Sequence, residues 1–209
     1  MKDSAIILDL DDTLIATHYR QYSCIYDYLQ SIGKSFIGFD EYYHLRRTHH
    51  LSNSNLLKFL HINPQWEKFN TYYLQSIESK KYLAADTLIA DKHLLARVKE
   101  KKHTLILLSL RSNPANSLHQ LQQLGLANYF DEIHFVQHKL TTNPKIQFLR
   151  LLNQSHDIIA FCSDSAPDYE AAVQLNINFV QVKTSLYELP GFEKATQFLD
   201  INQYFLSLL

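Results

Sequence analysis

Acidic residues gather where the first apolar run of the chain ends. The stretch AIILDLDDTL places Asp9, Asp11 and Asp12 within four positions. Carboxylates this close repel one another and raise one another's pKa unless a cation lies among them. The stretch therefore indicates a site that holds positive charge, although a turn that caps the following helix would also use Asp here.

Three later segments carry polar groups where an apolar run ends or a helical pattern begins. LILLSLRSN places Ser109 at the end of a run, NPKIQFL opens with Lys145, and FCSDSAPDYEAA contains Asp164 and Asp168. In an open parallel sheet, ligands bind beyond the carboxyl ends of the strands. We therefore expect an acidic cluster, a hydroxyl donor and an ammonium group to meet at one edge of a sheet.

Five short, mostly apolar runs predict the strands that position these groups. Such runs are typical of strands buried on both faces of a parallel sheet, and they span residues 5–9, 103–110, 132–137, 157–164 and 177–182. Helical patterns lie between them, and this alternation predicts βαβ units. The expected fold is α/β, with a doubly wound, Rossmann-like parallel sheet of five strands.

A long helical segment interrupts this alternation. Residues 16–85 carry helical periodicity, as in YSCIYDYL, and no clear buried strand. The segment is too long for an ordinary connection from strand to helix. We predict a helical insert at 16–85 and a core made of 1–15 and 86–209, with one or two short helices within 192–209.

Composition limits the classes of protein to which the chain can belong. Of the 209 residues, 46% are hydrophobic and 20% are charged, which allows a sizeable core. A net charge of -1 does not favour binding to a nucleic-acid polymer, and no apolar run reaches the roughly 18 residues that a membrane span needs. Two distant cysteines and the lack of a signal-peptide pattern predict reduced thiols in a cytoplasmic protein, monomeric or weakly dimeric.

The four polar segments together resemble the signature motifs of the haloacid dehalogenase-like (HAD) hydrolase superfamily. DLDDTL is similar to the first, an Asp-x-Asp-x-Thr pattern, and LILLSLRSN to the second, a hydrophobic strand that closes on Ser or Thr. NPKIQFL resembles the third, a lysine at a helix start, and FCSDSAPDYEAA the fourth, an acidic pair after a strand. The insert lies where the superfamily carries its C1 cap. Two positions depart from the usual pattern, since Asp12 and Ser163 stand where many members have Gly.

The resemblance implies an Mg2+-dependent phosphatase with an aspartyl-phosphate intermediate. Asp9 would be the nucleophile, and Asp11 would protonate the leaving alcohol and then deprotonate the attacking water. Asp12 is expected to point away from the site. The implied phosphate-binding residues are Ser109, Lys145 and Thr13, and the implied metal ligands are Asp9, Asp11 through its backbone carbonyl, Asp164 and Asp168.

Three of these assignments keep alternatives open. Lys139 competes with Lys145 for the role of the lysine, and Lys145 is preferred because it opens a helix. Asp168 would bind the metal directly or orient a water on it. The hydroxyl of Thr13 would contact phosphate, or would fix the loop or Asp11.

Basic residues are candidates for substrate contact. His18 and Arg20 lie just after the first strand and could face the leaving group. Arg46 and Arg47, in HLRRTHH, could recruit an anionic substrate or belong to a solvated helix face. Arg111 could touch substrate or cap a helix.

The expected activity is hydrolysis of a small phosphorylated metabolite. A phosphomutase of the same superfamily would return the phosphoryl group to a sugar, and a binding or regulatory domain would keep the fold without turnover. Dehalogenation is disfavoured because Asp11 suits an alcohol leaving group, whereas a halide needs no acid.

Overall fold

The computed structural model describes residues 2–137, 143–187 and 189–209. The chain divides into two compact units. The first consists of Met1–Ala16, Thr87–Ser185 and Leu189–Leu209, and the second of Thr17–Asp86 and Leu186–Glu188. Each unit encloses hydrophobic core residues of its own.

A six-stranded parallel sheet forms the centre of the first unit. In chain order, the described strands are β1 (Ser4–Leu8), β2 (Ile15–Ala16), β3 (Thr87–Leu88), β4 (Thr104–Leu110), β5 (Glu132–Val136), β6 (Asp157–Ser163), β7 (Phe179–Val182) and β8 (Ala195–Phe198). The sheet order is β5-β4-β1-β6-β7-β8, and every pairing is parallel. The short strands β2 and β3 form a separate antiparallel ribbon.

The central strand β1 is buried on both faces. Successive side chains of a strand point to opposite sides of the sheet. Accordingly, Ile6 and Leu8 belong to one hydrophobic cluster, and Ala5 and Ile7 belong to another. This double burial explains why the strand is continuously apolar up to Asp9.

The second unit is helical in its described residues. Its helices are α1 (His18–Ser31), α2 (Phe39–His49), α3 (Asn53–Phe59), α4 (Trp66–Ser76) and α5 (Lys80–Leu83). They enclose a core rich in aromatic residues, in which Tyr28 packs edge-on against Phe69. This core accounts for much of the Tyr and Phe content of the segment.

The helices of the first unit are α6 (Lys92–Glu100), α7 (Pro114–Gln123), α8 (Pro144–Ser155), α9 (Ala166–Gln174) and α10 (Ile201–Leu208). Helices α7, α8 and α9 begin alike, with a capping side chain and a proline in the first turn. The caps are Asn113, Asn143 and Ser165. This arrangement places Lys145 and Asp168 in first helical turns.

The α/β, Rossmann-like prediction is confirmed, with one correction to the number of strands and one short ribbon that was not predicted. The sheet has six strands, because Ala195–Phe198 forms β8 beside β7 within the segment predicted to be only helical. This edge strand is half-buried to exposed and therefore lacks the apolar run that marks the others. The ribbon of β2 and β3 has only two residues per strand, too few to give a sequence pattern.

Helices of the described chain are all too short or too polar to span a membrane.

Candidate active site

Asp9 is fixed at the carboxyl edge of the sheet. Its backbone N–H donates to the carbonyl of Cys162 in β6 at 3.0 Å, which continues the pairing of β1 and β6 beyond Leu8. The residue is only 6% exposed. Two strand ends thus meet at this point, as predicted for residues that follow neighbouring parallel strands.

A cavity of about 260 Å³ opens at this edge. The sequence-predicted residues that line it are Asp9, Asp11, Ser109, Lys145, Asp164 and Asp168. They come from the ends of β1, β4 and β6 and from the starts of α8 and α9. The structure therefore brings together residues of all four polar segments.

Lys145 bridges two buried carboxylates. Its ammonium nitrogen donates to Oδ1 of Asp9 and to Oδ2 of Asp168, both at 2.7 Å. Burial alone would lower the pKa of Lys145, but Asp168 and Asp9 outweigh it and raise the pKa above its usual value. Lys145 is therefore a charged, fixed cation, whereas the competing Lys139 lies outside the described residues.

Lys145 does not fully offset the effect of burial on the pKa of Asp9. Burial raises the pKa of Asp9 to about 7, although Lys145 opposes the shift. Repulsion from Asp168 and Asp11 adds to the rise. The site thus contains more carboxyl groups than one ammonium group can keep ionised.

The pKa of Asp164 is also raised. Burial raises its pKa well above the usual value, and repulsion from Asp12, Asp9 and Asp168 adds to the effect. A hydrogen bond with Ser185 acts in the opposite direction. A divalent cation would relieve this repulsion.

The donor set fits a hard divalent cation. Asp9, Asp164 and Asp168 offer oxygen atoms, which Mg2+ prefers, and Mg2+ commonly takes only one or two protein carboxylates. Within the described residues, no group of three or more His, Cys, Asp or Glu side chains is arranged so that it could hold a metal ion. A metal held here would take one or two of these carboxylates and complete its shell with water or substrate oxygen.

Asp12 does not point away from the site, so that prediction was wrong. It is 8% exposed and lines the cavity near Asp164. Its φ of 53° lies in the left-handed region, which Asp tolerates in turns. The turn is held by a backbone bond from Asp12 N–H to the carbonyl of Ile15 and by the hydroxyl of Thr184, which donates to the carbonyl of Asp12.

Thr13 donates a hydrogen bond to the acidic cluster. It is fully buried, and its hydroxyl donates to Oδ1 of Asp164 at 3.4 Å. Thr13 is not among the described residues that line the cavity. Contact of Thr13 with phosphate stays a prediction.

Arg111 contacts Asp11. Its Nη2 donates to Oδ1 of Asp11 and, at 3.3 Å, to Oε1 of Gln120. Among the described residues Arg111 is not part of the cavity lining, and α7 is capped by Asn113 instead. Asn113 therefore takes the capping role that was one alternative for Arg111. Contact of Arg111 with substrate stays a prediction.

Two serines that follow or end strands contact the acidic residues of the site, and the sequence did not predict these contacts. Ser163, at the end of β6, donates to Oδ2 of Asp168 at 2.7 Å, and so supports the site where Gly is usual. Ser185 follows β7 and bonds Asp164. The rule that ligands bind beyond strand ends, applied to β7, points to residues 183–185, which include Ser185.

The basic candidates of the insert lie within the second unit. Arg46 is 2% exposed and donates to the hydroxyls of Tyr42 at 2.9 Å and Tyr187 at 2.6 Å, so it does not belong to a solvated helix face. Arg20 pairs with Asp86 at 3.1 Å. His18 packs against the ring of Tyr43, and Arg47 donates to the hydroxyl of Tyr43 at 3.4 Å. Contact of these four residues with substrate stays a prediction.

Comparison with known families agrees with the motifs. The family model described as haloacid dehalogenase-like hydrolase matches residues 6–182. The chain belongs to this family. The predicted superfamily is thus confirmed, and a search of curated proteins gave no match.

Solved structures share the fold of this haloacid dehalogenase-like hydrolase over nearly its whole length. Protein Tyrosine Kinase A of Mycobacterium tuberculosis is 18% identical, with a TM-score of 0.75 over 99% of this chain and 98% of that chain. A HAD-superfamily hydrolase, subfamily IA, variant 1, from Geobacter sulfurreducens is 18% identical, with a TM-score of 0.70 over 99% and 96%. A protein described as a predicted phosphoglycolate phosphatase from Haemophilus somnus is 16% identical, with a TM-score of 0.72 over 98% and 97%. At these identities the likeness shows the fold.

Proposed function

We propose that this hydrolase is an Mg2+-dependent phosphatase that cleaves a small phosphorylated metabolite through an aspartyl-phosphate on Asp9. One observation carries the proposal. Lys145 joins Asp9 to Asp168 in the cavity that Ser109 and Asp164 also line. A nucleophilic carboxylate, a fixed cation and a hydroxyl donor thus surround one space.

A phosphate ester is an anion, so its binding beside carboxylates needs positive charge and hydrogen-bond donors. The Lys145 ammonium and the Ser109 hydroxyl supply them, and both residues are at least 98% buried. Fixed donors in a buried site stabilise the charge that grows on the phosphoryl oxygens in the transition state. We assign phosphoryl binding to these two residues.

The nucleophile needs positive charge beyond that of Lys145. With a pKa of about 7, Asp9 is only partly ionised near neutral pH. A bound Mg2+ would supply the further positive charge that keeps the carboxylate ionised and shields it from the substrate. Asp9, Asp164 and the backbone carbonyl of Asp11 are the proposed ligands, with Asp168 as a further ligand or as the acceptor of a hydrogen bond from a metal-bound water.

Asp11 is the proposed acid and base. It lines the cavity together with Asp9 and is held by Arg111. In the first step Asp9 attacks phosphorus and Asp11 gives its proton to the leaving oxygen. In the second step Asp11 accepts a proton from the water that hydrolyses the phosphorylated Asp9.

A cavity of about 260 Å³ accommodates a phosphoryl group with a small leaving group. The relatives support phosphoryl chemistry by name, since one is called a kinase and another a phosphoglycolate phosphatase. The role of the helical insert as a substrate-selecting cap stays part of this proposal.

Phosphate release from para-nitrophenyl phosphate and from a panel of small metabolite phosphates tests the proposal. We expect turnover with Mg2+, none with a chelator, and none with Asp9→Asn in either condition. Conversion of a sugar phosphate to its isomer without release of phosphate would favour the phosphomutase alternative. Absence of turnover on the whole panel would favour a binding domain.

A further inference from the structure

We infer that Arg111 is a positioning residue that holds the Asp11 carboxylate in place for proton transfer to the leaving group. The inference rests on the proposed function, because it concerns the acid of that reaction. Arg111 is a buried cation that does not line the cavity, so it would act through Asp11.

The backbone of Arg111 is part of the sheet edge. The residue directly follows β4, and its N–H donates to the carbonyl of Val136 in β5 at 3.0 Å. The side chain therefore starts from a fixed point two residues beyond Ser109.

The ion pair is asymmetric in its exposure. The side chain of Arg111 is 1% exposed, whereas that of Asp11 is 34% exposed. Asp11 thus faces the cavity, while Arg111 reaches it from the buried side. A small phosphate ester can meet Asp11 but not the guanidinium.

The guanidinium has little else to bind. Gln120 accepts a hydrogen bond from the same Nη2, and Nε and Nη1 have no hydrogen-bond partner among the described residues. Asp11 is the acidic partner that the described residues give to this buried charge. Because a buried charge without its partner is strongly unfavourable, displacement of Asp11 from Arg111 is resisted.

The hold of Arg111 on Asp11 affects the rate in the step in which Asp11 transfers its proton to the leaving group. As the Asp9 oxygen forms its bond to phosphorus, the bond from phosphorus to the leaving oxygen breaks and its electron pair stays on that oxygen. Asp11, whose Oδ1 accepts from Arg111, carries its proton on Oδ2, and this proton passes to the leaving oxygen as the Asp11 O–H bond breaks. A misplaced Asp11 would leave that oxygen without its proton.

The test compares leaving groups of different acidity. The substrates are 2,4-dinitrophenyl, para-nitrophenyl and phenyl phosphate, measured as kcat/KM with saturating Mg2+, because kcat/KM reports the first transfer to Asp9. The dinitrophenolate leaves readily without a proton, whereas phenolate gains most from one. We expect Arg111→Met to lower kcat/KM about 100-fold for phenyl phosphate and only a few fold for 2,4-dinitrophenyl phosphate.

Three variants serve as controls. Arg97→Met, at an exposed position on α6, should leave all three rates unchanged. Arg111→Lys keeps the charge without the fork of the guanidinium and should lose less on phenyl phosphate; it also carries the test if Arg111→Met does not fold. In an Asp11→Asn background, Arg111→Met should not change the dependence on the leaving group further.

The outcomes separate the two proposals. Turnover by the wild type with equal losses on all three substrates in the Arg111 variants would overturn the inference and leave the phosphatase intact. A further change in the leaving-group dependence in the Asp11→Asn background would also overturn it. Absence of wild-type turnover would overturn both.

Discussion

The ammonium nitrogen of Lys145 lies 2.7 Å from Oδ1 of Asp9, the proposed nucleophile. The same nitrogen is shared with Asp168, so one cation serves two buried carboxylates. The raised pKa of Asp9 is the consequence, because burial and the neighbouring carboxylates outweigh a single shared lysine. One lysine thus does not keep both carboxylates fully ionised.

Replacement of Lys145 tests the bridge itself. Lys145→Met leaves Asp9 and Asp168 buried without their cation, which should cost about 3–5 kcal/mol in the free energy of unfolding and abolish turnover. Urea unfolding with and without a chelator measures the first effect. Lys194→Met, at an exposed position, is the matched control. A Lys145→Met protein as stable and active as wild type would show that the bridge has no role.

Replacement of Asp164 tests the metal site. Asp164→Asn keeps the shape of the side chain and removes a carboxyl whose ionisation burial disfavours, so the metal-free protein should gain about 0.5–2 kcal/mol in stability. The same variant should lose most of the thermal stabilisation that Mg2+ gives to the wild type. Thermal unfolding over a series of Mg2+ concentrations measures both, with the exposed Asp3→Asn as control. An unchanged response to Mg2+ would remove Asp164 from the site.

The pH dependence of stability follows from the pKa of Asp9. That pKa rises from 3.8 to about 7 on folding, so between these values the folded chain holds a proton that the unfolded chain has lost. The contribution of this proton to stability is complete below pH 3.8 and is lost as the pH rises through about 7. Unfolding of the wild type and of Asp9→Asn is measured with a chelator across this range, and the stability of the wild type relative to the variant should fall as the pH rises. A relative stability that rises with pH would contradict the assignment.

Binding of Mg2+ should follow the same titration. Because Mg2+ displaces the proton of a ligand carboxyl, its affinity should increase up to about pH 7 and binding should release protons. Calorimetry in two buffers with different ionisation enthalpies measures the released protons. Binding without proton release would mean that Asp9 is already ionised in the free protein.

The fold was predictable from sequence wherever burial is complete. Strand β1 lies between two hydrophobic clusters, and its continuous apolar run leads directly to Asp9. Strand β8 escapes the same argument because its side chains are half-buried or exposed at the sheet edge. Burial, rather than strand propensity alone, is what the pattern detects.

Within the site, residues at strand ends were predictable and side-chain partners were not. Ser109 and Lys145 follow from position along the chain. The contact of Arg111 with Asp11 joins residues 100 positions apart, and that of Arg46 with Tyr187 joins residues 141 positions apart. The inward position of Asp12 likewise depends on Thr184, which is distant in sequence. Local sequence patterns do not predict contacts between residues so far apart along the chain.

The most direct test of the account is to locate the phosphoryl group during turnover. The wild-type protein, mixed with para-nitrophenyl phosphate and Mg2+ and quenched rapidly in acid, is digested and its peptides are analysed by mass spectrometry. We predict a phosphoryl group on Asp9 that needs Mg2+ and is absent from the Asp9→Asn protein. Steady release of phosphate with no phosphorylated Asp9, or with undiminished rate in Asp9→Asn, would contradict the central claim.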